Sequence, residues 1–405
     1  MANNKKKDSN YLNAREQREI AKHNKEVMRK FEKQNKRKNV NPQEYATKMR
    51  DENNILEIDN LHTYFFTDAG TVRAVDGVSF EVPRGKTVGV VGESGCGKSV
   101  TSLSIMRLVQ RPTGQIVEGE IRLNRSAEEG GPVDIAQMPI DAMRGIRGNN
   151  ISMIFQEPMT SLNPVFKIGA QIDEVIALHN PSWSEEQVKN RTLEMLERVK
   201  IANHTQVYEN YPHQLSGGMR QRVMIAMALA CRPDLIIADE PTTALDVTIQ
   251  AQILDLLREL KQEINSSIML ITHDLGVVAE MADYVVVMYS GRIVEQGTVQ
   301  EVYHTPAHPY TIGLMASKPV INRKVDRLYS IEGSVPNPIN MPSYCYYRDR
   351  CTFKDAKCDG PYPGYIQLSD THFVACYHPH EGKFDIYGDV VGELEKNAGA
   401  AKEVK

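Results

Sequence analysis

The sequence predicts an α/β fold built on a largely parallel sheet, and three features predict it. Strand-like and helix-like segments alternate from about residue 55 onward. A buried apolar strand, "KTVGVV", runs straight into "GESGCGKS", and a second, "PDLIIADEP", ends in two adjacent acids. Short apolar runs bounded by turn residues are strands covered on both faces, as in a parallel sheet wrapped by helices. The chain has 405 residues, 41% of them hydrophobic, enough for one large or two modest domains.

The first segment is of another kind. Residues 1–50 hold 15 Lys/Arg against 6 Asp/Glu, and the rest of the chain 33 against 46, so the net charge of −4 conceals a basic arm on an acidic body. "MANNKKKDSN" leads into more charge rather than an apolar core, so no secretory leader is expected. No apolar run approaches the ~18 residues that span a bilayer, and a cytoplasmic chain is expected. "AREQREIAKHNKEVMRKFEKQNKRKN" lacks Pro and Gly and pairs Glu26 with Lys30 and Glu32 with Lys36 at helical spacing. Its apolar residues (Ile20, Val27, Met28, Phe31) are too sparse for a core face. Three readings stay open: a solvated, partly helical arm, a tether to anionic lipid headgroups, or a nucleic-acid contact.

"ILEIDNL" and "VSFEV" read as strands, and "KTVGVV" leads into Gly92, Glu93, Ser94, Gly95, Cys96, Gly97, Lys98, Ser99 and Val100. This is the full G-x-x-x-x-G-K-[ST] phosphate loop between a strand and the helix "KSVTSLSIMRLV". Its glycines let successive N–H groups turn toward a phosphate chain. Lys98 suits the β- and γ-phosphates, Ser99 suits Mg²⁺, and the helix directs its N-terminus at the anion. Asp239 and Glu240 close the second apolar strand, at the end of a parallel sheet where ligands bind. Such acids also suit a helix cap, but beside a phosphate loop Asp239 suits Mg²⁺ through water and Glu240 suits a general base. Gln156 follows "ISMIF" and His273 follows "SIMLIT"; a lone His after a strand is as easily structural as catalytic.

These elements, in this order, together with "LSGGMRQR" (Ser216, Gly217, Gly218) and "ALD" ending at Asp246, resemble the ATP-binding-cassette ATPases over roughly residues 55–300. The resemblance implies a P-loop NTPase with a RecA-like core, a small antiparallel β subdomain, and a helical subdomain at about 157–222. It implies ATP and Mg²⁺ as ligands and an aromatic near the adenine, Phe65 or its neighbour Tyr64. It places Ser99, Gln156 and Asp239 on the metal and Glu240, His273, Lys98 and Gln156 in catalysis. In this family the Ser-Gly-Gly signature, with Asp246 nearby, closes over a nucleotide held by a second cassette. One phosphate loop in the chain therefore implies a partner ATPase, with a heterodimer favoured.

"HPYT" at 308–311 and the proline-rich stretch before four cysteines resemble the C-terminal extension of oligopeptide and dipeptide importer ATPases. That resemblance implies an extension over 301–385, a tail at 386–405, two membrane permeases and an extracytoplasmic peptide-binding protein. It also implies a place on the cytoplasmic face of the membrane. Nickel or another small solute is the rival cargo, and a soluble nucleic-acid ATPase the rival class; no nucleic acid is expected. Cys345, Cys351, Cys358 and Cys376 are spaced more widely than most zinc sites. They remain open among a [4Fe–4S] cluster, which the subfamily resemblance implies, zinc, and plain reduced thiols. Arg348, Arg350, Lys354 and Lys357 lie beside them in sequence, suited to offset a cluster's charge. Cys96 and Cys231 read as packing residues.

Overall fold

The computed structural model describes residues 14–38, 40–157, 161–243, 245–317, 329–380 and 382; the 386–405 tail and the first 13 residues of the arm lie outside them. Its strands are β1 (Asn54–Thr67), β2 (Gly70–Pro83), β3 (Thr87–Val91), β4 (Gly114–Leu123), β5 (Val133–Asp134), β6 (Ile151–Ile154), β7 (Leu235–Asp239), β8 (Ser267–Ile271), β9 (Tyr284–Tyr289), β10 (Arg292–Thr298), β11 (Ile366–Gln367) and β12 (Phe373–Val374). Its helices are α1 (Ala14–Asn35), α2 (Lys98–Ile105), α3 (Ile168–His179), α4 (Glu185–Arg198), α5 (His204–Glu209), α6 (Gly217–Leu229), α7 (Val247–Ile264), α8 (Leu275–Met281), α9 (Val299–His304) and α10 (Pro309–Ala316).

β3, β7 and β8 are buried at every position, as their unbroken apolar runs require. They lie in an eight-stranded sheet ordered β11-β12-β10-β9-β3-β8-β7-β6, with β3 inside it. The pairings from β6 to β9 are parallel, and β10, β11 and β12 continue the sheet antiparallel. Period-two alternation divides each central strand between two cores. Ile236, Ala238, Ile268 and Leu270 pack with residues of α3, α4, α6 and α7. Leu235, Ile237, Met269 and Ile271 pack with β1, β2, β4 and α2. Each of the larger side chains contributes about 1.5–3 kcal/mol by leaving water, so one polar substitution here weakens the layer it faces.

The expected small antiparallel sheet is four-stranded, ordered β2-β1-β4-β5. α1 lies against it, with Ile20, Val27, Met28 and Phe31 partly buried, and two amides tie it down. Asn24 Nδ2 donates to the Thr67 carbonyl at 2.8 Å, and Arg107 Nη2 donates to Asn35 Oδ1 at 2.6 Å. α2 is shorter than its sequence predicts, because Arg107 takes a left-handed φ of 52° just past it. α4 starts at Ser184, whose Oγ accepts from the Gln187 N–H while Gln187 Oε1 accepts from the Ser184 N–H. Ser184 and Gln187, three residues on, thus form a reciprocal capping box. The extension does not stand apart, since β12 pairs Val374 with Glu295 of β10 and so widens the central sheet.

Candidate nucleotide site

Where β3 ends, the backbone turns back over itself. Gly92 has φ 151°, and a Cβ there would lie 2.2 Å from the Met288 carbonyl oxygen. Gly97 has φ 101°, and a Cβ there would lie 2.3 Å from the Ala74 carbonyl oxygen. Both positions therefore need glycine for conformation and for space. Ser94 and Gly95 stand exposed at the crest of the loop. Cys96 is buried beneath it, where burial pushes its thiol pKa up, and Val100 packs against the second core. Lys98, buried, donates from Nζ to the carbonyls of Gly92 (2.7 Å) and Glu93 (3.1 Å). Its ammonium thus lies along the inner side of the loop.

The sheet brings the two acids to the same place. Ser99 Oγ donates to Asp239 Oδ1 at 3.1 Å, and Ser102 Oγ to Oδ2 at 3.4 Å. Burial raises the Asp239 carboxyl pKa above its ordinary value, opposed by the Ser99 hydrogen bond and reinforced by neighbouring Glu240. Glu240 sits at φ 47°, a left-handed conformation that a non-glycine residue adopts at a cost. That turn redirects its carboxylate out of the sheet. Three groups from three segments meet it there. Gln156 Nε2 donates to Oε2 at 3.0 Å, Thr243 Oγ1 donates to Oε2 at 2.8 Å, and His273 Nδ1 lies 3.3 Å from Oε1. His273 is exposed and so borders open space. Thr243 is not singled out by the sequence; a threonine three residues past the acid is its only local signal.

The signature lies at the start of α6. Ser216 caps the helix, its Oγ accepting from the Met219 N–H at 3.3 Å. Ser216 and Gly217 are exposed, and a Cβ at Gly217 would meet nothing within 4 Å. Among the described residues nothing requires glycine at 217. A Cβ on Gly218 would lie 3.3 Å from Ile249, which places the signature beside the start of α7. Asp246 caps that helix, its Oδ1 accepting from the Ile249 N–H at 2.9 Å. Ala244 of "ALD" lies outside the described residues.

Tyr64 and Phe65 point to opposite faces of β1. The Tyr64 hydroxyl donates to Asp76 Oδ1 at 2.6 Å, and the Arg73 guanidinium lies 5.7 Å from its ring centre. Phe65 lies against the backbone of Gly114, where a Cβ would approach its ring to 2.8 Å. Phe66, which the sequence reading passes over, is buried.

All six cysteines are free. The four of the extension share one neighbourhood. Burial pushes the Cys351 and Cys376 thiols up to about 12, and the other thiols nearby add to the effect. Burial also raises Cys345, with Cys358 contributing. The tightest donor group differs from the expected quartet: Cys358 with Asp355 and His378, whose ligand atoms lie within 4.8 Å of one another. Of the expected neighbouring cations, Arg348 stays beside Cys345 and Arg350 serves elsewhere. Arg348 pairs with Asp359 at 2.6 Å, and Arg350 reaches the phosphate loop, where Nη1 and Nη2 donate to the Glu93 carboxylate at 2.5 and 2.9 Å.

A glycine-bound phosphate loop before a helix, with Asp239 and Glu240 beside it on a parallel sheet, defines a P-loop nucleotide-binding protein. Residues 75–243 match the ABC transporter family. Residues 294–358 match the oligopeptide/dipeptide transporter, C-terminal region. The oligopeptide transport ATP-binding protein AppD of Bacillus subtilis is 50% identical over 323 residues, which cover 80% of this chain and 96% of that protein. The dipeptide transport ATP-binding protein DppD of the same organism is 47% identical, covering 80% and 94%. The solved dimeric structure of MJ0796, a bacterial ABC transporter cassette, overlays with a TM-score of 0.53 at 26% identity, covering 60% of this chain and 98% of that one. The chain belongs to the ABC transporter family and is an ABC ATPase, with the C-terminal region of the oligopeptide/dipeptide branch. No helix among the described residues is long and apolar enough to cross a membrane.

Proposed function

We propose that the chain is the ATP-hydrolysing subunit of a peptide importer, at the cytoplasmic face of the membrane. One observation carries this: a cassette and an oligopeptide/dipeptide C-terminal region occur in the same chain. Relatives matched over 94–96% of their own length and 80% of this chain are named for oligopeptide and dipeptide transport.

In this reading the loop N–H groups and Lys98 bind the phosphate chain, and Tyr64 or Phe65 borders the adenine. Ser99 and Asp239, already joined by a hydrogen bond, hold Mg²⁺ with Gln156. The ion, when bound, supplies positive charge to the phosphates. Glu240 orients the attacking water and accepts its proton. Gln156, Thr243 and His273 fix that carboxylate, and His273, on the exposed side, faces the γ-phosphate. Ser216, Gly217 and Gly218 serve the nucleotide of a second cassette, with Asp246 beside them, which accounts for a glycine that nothing among the described residues requires.

The partners that follow are a second, different ATPase subunit, two permeases, and through them an extracytoplasmic peptide-binding protein. The helical region supports the permease contact: Val165, Phe166, Leu178 and Trp183 expose 70, 55, 66 and 41% of their surface. The extension's thiols support a metal centre, with a [4Fe–4S] cluster on Cys345, Cys351, Cys358 and Cys376 as the first reading and zinc on Asp355, Cys358 and His378 as the second. The test of cargo is reconstitution with the permeases in vesicles. Peptide-loaded binding protein should stimulate hydrolysis and drive peptide uptake. Stimulation by a nickel-loaded binding protein alone would replace the peptide reading.

A further inference from the structure

The C-terminal extension meets the nucleotide site at two separate points. The first is at the phosphate end. The Arg350 guanidinium grips the Glu93 carboxylate with two nitrogens while its Nε donates to the Glu332 carbonyl at 3.0 Å. Its side chain is only 5% exposed. In the same place the Glu93 N–H donates to the Tyr310 hydroxyl of α10 at 2.8 Å. Residue 93 follows Gly92, so both main chain and side chain of the loop's second residue are held from outside the cassette.

The second point is at the aromatic end. The Tyr346 hydroxyl donates to Asp76 Oδ2 at 3.1 Å, and Tyr64 donates to Oδ1 of the same carboxylate. Arg292 completes the set with two nitrogens on Oδ2. The extension segment at Pro338–Asn340 bridges to the neighbouring hairpin. There the Arg73 N–H donates to the Pro338 carbonyl at 3.0 Å, and the Asn340 N–H to the Thr71 carbonyl at 3.0 Å.

We propose that Arg350 is a positioning residue for ATP, acting through Glu93 to hold the phosphate loop in its binding shape. A two-nitrogen guanidinium–carboxylate pair fixes direction as well as distance, which a single ammonium does not. The Arg350 side of the pair is buried and the Glu93 side only partly exposed, so it is screened less than a fully exposed ion pair. The Glu93 pair is the leading reason that the Arg350 pKa stands above its ordinary value. A loop whose N–H groups are held toward one point before binding pays less ordering entropy when a phosphate chain arrives. Loss of the brace therefore appears in ATP affinity ahead of the chemical step. Tyr346 does the same for the strand that carries Tyr64 and Phe65. The inference rests on the reading of Gly92–Ser99 as the ATP site.

The test is steady-state ATPase kinetics of the full chain assembled with its transporter partners. Glu93→Gln and Arg350→Ala should each raise the KM for ATP about tenfold, the scale of one lost charge-assisted hydrogen bond, with kcat within about threefold. Arg350→Lys should fall between. Because both residues act as one unit, the double variant should be no worse than either single. Glu93→Gln sits on a surface loop and leaves Arg350 with the extension, so it reports even where Arg350→Ala misfolds. A KM within twofold of wild type for Glu93→Gln, or multiplicative effects in the double variant, overturns the proposal. Lys98→Ala separates the two readings. Turnover that survives Lys98→Ala removes the ATP site itself, and the brace with it. Turnover lost in Lys98→Ala but unmoved by Glu93→Gln removes only the brace.

Discussion

Gln156 Nε2 donates to Glu240 Oε2 at 3.0 Å, joining the segment after β6 to the carboxylate at the end of β7. Thr243 shares the same oxygen and His273 approaches the other, so both carboxylate oxygens are occupied. A carboxylate held on both sides has its direction set before substrate arrives, as the proposed general base requires. Glu240→Gln keeps the shape and removes the proton acceptor. Steady-state phosphate release should fall by about two orders of magnitude or more, while equilibrium Mg-ATP binding persists. Near-normal turnover in this variant would take Glu240 out of the base role.

Thr243 offers a smaller test of the same arrangement. Thr243→Ala deletes one of the two donors on Oε2 and leaves Gln156 in place. Turnover should drop about threefold to tenfold, the effect of one lost hydrogen bond, with the KM for ATP unchanged. A shift confined to KM would mean that Thr243 serves binding instead.

The signature separates binding from turnover. Ser216→Arg places a long cation on an exposed cap that touches no part of the phosphate loop in its own hydrogen bonding. ATP binding to the isolated chain should stay within about twofold of wild type, a surface-substitution effect, while hydrolysis in the assembled complex is lost. Loss of nucleotide affinity in the isolated variant would place the signature in this chain's own site.

Much of this was legible in the sequence, and the reason is local. Gly92 and Gly97 are required by their own backbone angles, and β3, β7 and β8 announce burial by unbroken apolar runs. What was not legible is set by distant contact. Arg350 and Glu93 lie 257 positions apart, and no spacing rule joins them. Read alone, Arg350 is one of several cations beside cysteines. Likewise Asp355 and His378 escape a reading that counts thiols, since neither lies at a regular interval from Cys358. The seating of α1 was only partly legible: its sparse apolar residues do turn inward, but the bonds of Asn24 and Asn35 to distant partners follow from no spacing rule.

His308 gives the extension a pH dependence. It is buried at the start of α10, where its Nδ1 accepts from the Tyr310 N–H at 3.0 Å. Burial pushes its pKa down from 6.5 to about 3. The unfolded chain titrates near the ordinary value, so between about 6.5 and 3 the unfolded state holds the extra proton. Stability therefore falls as pH drops below about 6.5 and levels off near 3. His308→Asn keeps a capping acceptor and removes the titration. The melting temperature of wild type should fall more steeply than that of the variant between pH 7.5 and 5. Parallel curves would show that His308 is not the titrating group.

The cysteines of the extension carry the last prediction, and the two metal readings differ in which substitutions they tolerate. Thiols raised by burial, as Cys351 and Cys376 are to about 12, stay protonated and inert unless a metal takes the proton's place. Four thiols in one neighbourhood suit an iron–sulfur cluster. One thiol with a carboxylate and an imidazole suits zinc. Protein purified without oxygen should be brown and hold about four irons per chain. Cys351→Ser or Cys376→Ser should bleach it, and His378→Ala should leave its colour. The zinc reading inverts this pattern: one metal per chain, lost in His378→Ala and kept in Cys351→Ser. The ATP site keeps its nucleotide in all three variants, since none of these residues touches Gly92–Ser99. Colourless protein whose four thiols titrate freely with a thiol reagent would leave the extension without a metal and its cysteines as packing residues.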